Sequence, residues 1–304
     1  MAEVILHLGA HGTDEGSLAS WLAGNEADLA ARGTQVMRAR RFRRRLEQSL
    51  ADHGDGVDDA DRRAFVDALG LRGDLTRLAV SAPGLLVPRA SVLASEGLFG
   101  TDATSRLRGL GDLLPGGVAL TLGLAIARAS ALVPALMAGA TAPADTGMVE
   151  AWLQRLPEPT LPWAALVAQI RQDLPQARLV VWRHERVAQT WPQVLARMSG
   201  LDAADAALPM AGVEDFAMLG IVPAAHAPMR RYIAAKPPPN PALMQRVAAA
   251  FAQGYGRLAD DVPGFDRPGL ALPEDLQERL IALDEGYGAQ WSAISAIEGV
   301  ETLV

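Results

Sequence analysis

The stretch "VILHLGAHGTDEGSLASWLAGNEADLAARG", residues 4–33, decides the fold. Residues 4–8 are apolar apart from His7, a pattern typical of a buried strand. A glycine-rich loop follows. Apolar residues then recur at intervals of three, four and seven, which predicts a helix over 17–32 that ends at Gly33. A strand, a glycine loop and a helix in this order open many α/β proteins.

The alternation of strands and helices continues to Gly200. Further strands are predicted over 78–81, 118–124 and 178–182, and helices over 104–114, 129–138, 163–173 and 187–198. Because these strands are continuously apolar, we expect a mostly parallel sheet with helices on both faces. After Gly200 the strand signals fade, and helices are predicted from Asn240 to about 251, over 274–284 and over 287–297. We therefore expect one domain over 1–304, with an α/β core (1–200) and a mainly helical extension (201–304).

Composition narrows the classes of function. Half of the 304 residues are hydrophobic, and 28 basic against 35 acidic residues give a net charge of -7. Such a surface repels nucleic acid and anionic membranes, so any anion site must be local. The sequence has no cysteine, which excludes disulfides, thiolate catalysis and cysteine-ligated metals.

Two apolar segments bear on location. The N-terminus has no basic segment, and its apolar run is too short for a signal peptide, so a cytoplasmic location is expected. The apolar stretch 118–142 is interrupted by Arg128 and Pro134 and is predicted to form a strand and a packed helix. We expect no membrane association.

The loop over 9–16 occupies the usual position of a phosphate cradle, where backbone N–H groups and the helix dipole attract anions. The spacing of Gly9, Gly12 and Gly16 matches neither the Walker loop nor the dinucleotide fingerprint. The loop also carries two carboxylates and no lysine.

Residues 4–36 nevertheless resemble, without a gap, the start of bacterial sulfotransferase-like proteins. In that family the loop His-x-Gly-x-His-Lys-Thr-Gly-Thr-Thr-Ser-Leu holds phosphoadenosine phosphosulfate. Weaker similarity continues over 77–88, 118–136, 177–201 and 287–300. The resemblance implies a P-loop-related α/β fold. It places the donor-binding positions at Gly9, His11, Gly12, Thr13, Gly16, Ser17 and Arg128.

The chain departs from the family at the residues that grip the donor. The phosphate-binding lysine of the family falls on Gly12, and its Gly-Thr-Thr falls on residues 14–16. The arginine that holds the second phosphate falls on Ala127, one position before Arg128, and the partner serine falls near Ala135.

These replacements are unfavourable to a bound anion. A carboxylate about 5 Å from a phosphate costs about 3 kcal/mol at an effective dielectric near 20. We expect Asp14 to be the N-cap of the first helix and Glu15 to lie in its first turn. The two carboxylates would then take the N–H groups and the helix dipole that a bound phosphate would otherwise use.

Three other groups of residues each allow two interpretations. His7, His11 and Asp14 are either metal ligands or a buried pair of hydrogen-bonded histidines; we predict no metal. His184 and Glu185, at the end of a strand, are either a catalytic acid or base or a structural pair. The six arginines of 38–45 form either an anion or nucleic-acid patch or a solvated helix start paired with the acids of 52–63.

Two functions follow. The first is a sulfotransferase-like protein that no longer uses phosphoadenosine phosphosulfate efficiently and acts as a binding or regulatory protein without a cofactor, with an anionic small molecule as the expected class of partner. The second is an active sulfotransferase that transfers a sulfuryl group to a hydroxyl or an amine. In that case His184 or Glu185 would deprotonate the acceptor, and Arg128 or the arginines of 38–45 would converge on the loop.

Overall fold

The computed structural model describes residues 2–14, 16–53, 56–71, 76–94, 97–99, 103–138, 156, 159–201, 211–219, 221–256 and 272–304. Glu15 and residues 139–142, on which two of the expectations above rest, lie outside these ranges.

Six parallel strands form the main sheet, in the order β2-β3-β1-β6-β7-β8. Because β3 and not β2 pairs with β1, this order differs from that of the dinucleotide-binding fold. A separate antiparallel pair consists of β4 and β5. The strands are β1 (Ala2–Gly9), β2 (Thr34–Val36), β3 (Arg77–Ser81), β4 (Leu93–Ala94), β5 (Gly97–Leu98), β6 (Val118–Ile126), β7 (Arg178–Arg183) and β8 (Val300–Leu303).

Helices cover both faces of the main sheet, as expected for continuously apolar parallel strands. Val4, Leu6 and Leu8 pack into one core, whereas Ile5 and Val180 pack into the core on the opposite face. The α-helices are α1 (Ser17–Gly24), α2 (Glu26–Ala30), α3 (Ala39–His53), α4 (Asp59–Leu69), α5 (Ser105–Leu113), α6 (Ala129–Ala138), α7 (Trp163–Asp173), α8 (Val187–Ser199), α9 (Val213–Met218), α10 (His226–Ala235), α11 (Pro241–Tyr255), α12 (Glu274–Asp284) and α13 (Tyr287–Ser295).

One expectation about the elements is wrong. The helix predicted over 17–32 is broken at Asn25, whose side-chain amide donates hydrogen bonds to the carbonyls of Trp21 (2.8 Å) and Ala211 (3.0 Å). The segment after Gly200 also contributes β8, a strand that was not predicted, which pairs with β7 and forms the edge of the main sheet.

The stretch over 118–138 is a buried strand followed by a packed helix, as predicted. Within the described ranges, no helix combines the length and apolar character needed to cross a bilayer.

Candidate functional site

The loop that joins β1 to α1, residues 10–16, lies at the carboxyl ends of the central strands. Gly9 has φ 95°, and the pairing of β1 with β6 shifts between His7 and Gly9. The Ala10 N–H donates to the Ala125 carbonyl (3.0 Å), and the Ala82 N–H donates to the His7 carbonyl (2.8 Å). The loop is therefore held by the strands on both sides of β1, in the crevice where α/β proteins bind ligands.

Asp14 occupies the anion position of this loop. Its carboxylate accepts hydrogen bonds from the N–H groups of Gly16 (3.1 Å) and Leu18 (3.2 Å). The N-cap residue of α1 is Gly16 with φ 84°, so the expectation that Asp14 is itself the N-cap residue is wrong. Asp14 nonetheless caps the start of α1, although it lies two residues before the N-cap position. Gly16, in its left-handed conformation, directs its own N–H group to the Asp14 carboxylate. The negative charge that a helix start attracts is thus supplied by the protein.

His7 is buried beside this carboxylate. It is 1% exposed, its Nδ1 lies 2.9 Å from Ser81 Oγ and 3.9 Å from an Asp14 carboxylate oxygen, and its ring stacks on Trp182 at 5.6 Å between centroids. Its Nε2 has no hydrogen-bond partner in the described part of the chain. Burial lowers the pKa of His7, and the neighbouring Asp14 only partly opposes this effect. His7 is therefore a neutral, buried imidazole at neutral pH.

A small cavity lies between the loop and the end of β7. Its lining includes His7, Thr13, Asp14, Trp182 and His184, and its volume is about 10 Å³. Such a space holds about one water molecule, whereas sites for small organic ligands measure about 300–1,000 Å³. The structure thus brings His184 to the loop but leaves no room there for a nucleotide. Thr13 donates its hydroxyl to the Ala10 carbonyl (2.7 Å) within the same loop.

Helix α6 packs closely against the loop at Gly12. Gly12 has φ 81°, and a Cβ at that position would lie 2.6 Å from the Ala135 Cβ. A lysine at position 12 would therefore require α6 or the loop to move. Ala127 is also buried, and its carbonyl accepts a hydrogen bond from Trp163 Nε1 (2.8 Å). The two positions at which the resembled family carries an arginine and a serine are thus packed alanines.

Glu185 and Arg128 belong to a different cluster. The carboxylate of Glu185 accepts hydrogen bonds from the Arg128 backbone N–H (2.8 Å) and the Tyr287 hydroxyl (2.9 Å). The Arg128 guanidinium lies 5.8 Å from the centroid of the Tyr287 ring. Burial, and then the charge of Glu185, raise the pKa of Tyr287. Glu185 therefore fastens α13 to the end of β6, and the structure separates it from His184, which lines the cavity.

His11 and His7 have separate partners. His11 Nε2 lies 3.1 Å from the Val87 carbonyl oxygen, and burial lowers the pKa of His11, with further lowering by Arg89 and Arg43. Among the described residues, no group of three or more histidine, aspartate or glutamate side chains could hold a metal ion. The Ser17 N–H donates to the Asp14 carbonyl (2.8 Å), so this position serves the turn.

The arginines of 38–45 do not converge on the loop. Arg43 approaches it, since its charge acts on His11. Arg41, Arg44 and Arg45 instead line a separate groove.

Two of the acids of 52–63 have partners within α4. Asp58 caps α4 by accepting from the Ala60 and Asp61 N–H groups (2.6 and 2.9 Å), and Asp59 pairs with Arg62 (2.9 Å).

Sequence reasoning missed Ser81 and Trp182, the two side chains that hold His7. A usable signal existed for Ser81. Ser81 lies at the end of an apolar strand, and His7 lies near the end of another; parallel strands that pair in register bring such positions together.

Comparison of the chain with protein-family models, curated proteins and solved structures gives no match.

Proposed function

We propose that this chain is a sulfotransferase-like protein in which Asp14 has taken the place of the donor phosphate, so that it acts by binding and not by sulfuryl transfer. The hydrogen bonds from the Gly16 and Leu18 N–H groups to the Asp14 carboxylate carry the proposal. A phosphate entering this loop would lose those donors. It would also meet a fixed negative charge, at a cost of about 3 kcal/mol if the two charges lay about 5 Å apart.

Two further features support the proposal. The cavity beside Asp14 has a volume of only about 10 Å³. The contact between Gly12 and Ala135 leaves no space for the lysine that the family uses. Together with the resemblance over residues 4–36, these features favour a donor site that has been closed from within.

An active sulfotransferase remains the second candidate, favoured by one observation. His184 lines the same cavity as His7 and Asp14. It therefore lies where a base could act on an acceptor, provided that the loop opens to admit the donor.

The experiment is a thermal-shift titration with adenosine bisphosphate, the product that the donor leaves after transfer. We expect Asp14→Ala to show a larger rise in melting temperature than the wild type at the same nucleotide concentration, since that variant frees two N–H groups and removes the charge. Asp58→Ala is the matched control: it removes an equivalent cap from α4 and should respond to nucleotide as the wild type does. A rise for the wild type at about ten times lower nucleotide than for Asp14→Ala would favour the active enzyme.

A further inference from the structure

Helix α3, strand β2 and the end of α4 form an open groove with a volume of about 720 Å³. We call it the arginine groove. From α3 it is lined by Arg41, Arg44, Arg45 and Gln48, whose spacing of three, four and seven places them on one helix face. The other side is lined by Gln35 of β2 and by Asp67–Gly70 of α4.

The positive charge in the arginine groove is concentrated. Like charges three or four residues apart on a helix destabilise it. Burial and the charges of Arg41 and Arg44 lower the pKa of Arg45. The lining that faces these three arginines contains one carboxylate, that of Asp67. Three arginines against one aspartate leave the lining of the arginine groove with a net positive charge on an otherwise acidic protein.

A neutral amide and a glycine lie on the other side of the arginine groove. The Oε1 atom of Gln35 is buried and has no hydrogen-bond partner in the described part of the chain. The amide of Gln35 lies beside Gly70, where a Cβ would come within 3.0 Å of it, and Gly70 has φ 81°. A side chain at position 70 would therefore press on this amide.

We propose that the arginine groove binds a compact soluble polyanion that carries two or more phosphate or sulfate groups. Guanidinium forks match the oxygens of such groups, and the groove volume lies in the range of small-molecule sites. The net charge of -7 opposes a long nucleic acid, which would extend beyond three cations onto acidic surface. This inference is independent of the proposed function, since the arginine groove shares no residue with the loop at 10–16.

The test is calorimetric titration with inorganic tripolyphosphate, with orthophosphate as the weaker comparison. We expect saturable binding of one tripolyphosphate per chain. Arg44→Gln and Arg45→Gln should each weaken it about tenfold, which is the loss of one charge-assisted hydrogen bond. Arg40→Gln is the matched control, because it removes the same charge from α3 at a position that does not line the arginine groove. It should change the affinity by less than about threefold, since exposed charges are screened by salt.

Absence of saturable binding would overturn the proposal, as would an equal loss in Arg40→Gln. A fluorescent single-stranded RNA that binds more tightly than tripolyphosphate and is displaced by it would assign the arginine groove to nucleic acid instead. Binding to vesicles that contain a bisphosphorylated inositol lipid, without binding to free tripolyphosphate, would assign it to a membrane. Arg44→Gln should melt no lower than the wild type at low salt, because it removes a like-charge contact. This result separates a loss of binding from a loss of folding.

Discussion

Replacement of Asp14 by alanine tests whether this carboxylate stabilises the loop. Asp14 accepts hydrogen bonds from two N–H groups at the start of α1. Loss of a helix cap costs about 1 kcal/mol, and loss of the favourable charge at a helix start adds about 0.5 kcal/mol. We therefore expect Asp14→Ala to lower the free energy of unfolding by about 1.5 kcal/mol, and Asp14→Asn, which keeps one acceptor oxygen, by about half of that.

The assay is urea denaturation at pH 7.5, followed by tryptophan fluorescence, because Trp21 of α1 and Trp182 beside His7 are both buried in the native state. Asp58→Ala provides the scale, since Asp58 caps α4 with two N–H acceptor contacts. A midpoint that is unchanged or higher in Asp14→Ala would refute the reasoning. It would mean that the carboxylate is unfavourable to the fold and serves some other role.

Three further predictions concern the surroundings of Asp14. Gly12→Ala should destabilise the protein by about 2 kcal/mol in urea denaturation, because it combines a positive φ with the close contact to Ala135. Its double variant with Ala135→Gly should recover part of that loss. Because the pKa of His7 is lower in the folded chain than its ordinary value, the unfolded chain binds more protons below about pH 6.5. The melting temperature should therefore fall from pH 7.5 to pH 5.5, with a contribution from His7 of at most about 1.4 kcal/mol per pH unit that disappears in His7→Gln. Tyr287→Phe should cost about 1–2 kcal/mol in urea denaturation, because it leaves the Glu185 carboxylate without one donor.

The four long strands were predictable because each is a continuous apolar run, which parallel strands buried on both faces require. The edge strands β2 and β8 were not. Each has three or four residues, and Gln35 and Glu301 interrupt their apolar pattern, since an edge strand is only half covered. The break in the first helix at Asn25 has a local part, the bond to Trp21 after Gly24, and a long-range part, the bond to Ala211, which no local pattern announces.

In the candidate site, too, contacts between residues close in sequence were predictable and contacts between distant residues were not. A capping role for Asp14 was predictable because its hydrogen bonds join atoms within four residues of one another. The prediction that Asp14 is itself the N-cap residue was wrong, since that residue is Gly16. The contact of His7 with Ser81 spans 74 residues and depends on strand order. The pairing of the arginine run with the acids of 52–63 stays a prediction; Asp58 and Asp59 make contacts at the start of α4, where capping competes with longer-range ion pairs.

The central claim is that Asp14 supplies the anion of the strand–helix loop and so excludes a donor phosphate. Calorimetric titration of the wild-type chain with phosphoadenosine phosphosulfate, at physiological salt and pH 7.5, tests it most directly. Arg44→Gln should be titrated in parallel, so that any binding in the arginine groove is recognised and subtracted. The account predicts no remaining saturable heat below millimolar nucleotide. Saturable binding at micromolar nucleotide that is unaffected by Arg44→Gln would contradict it.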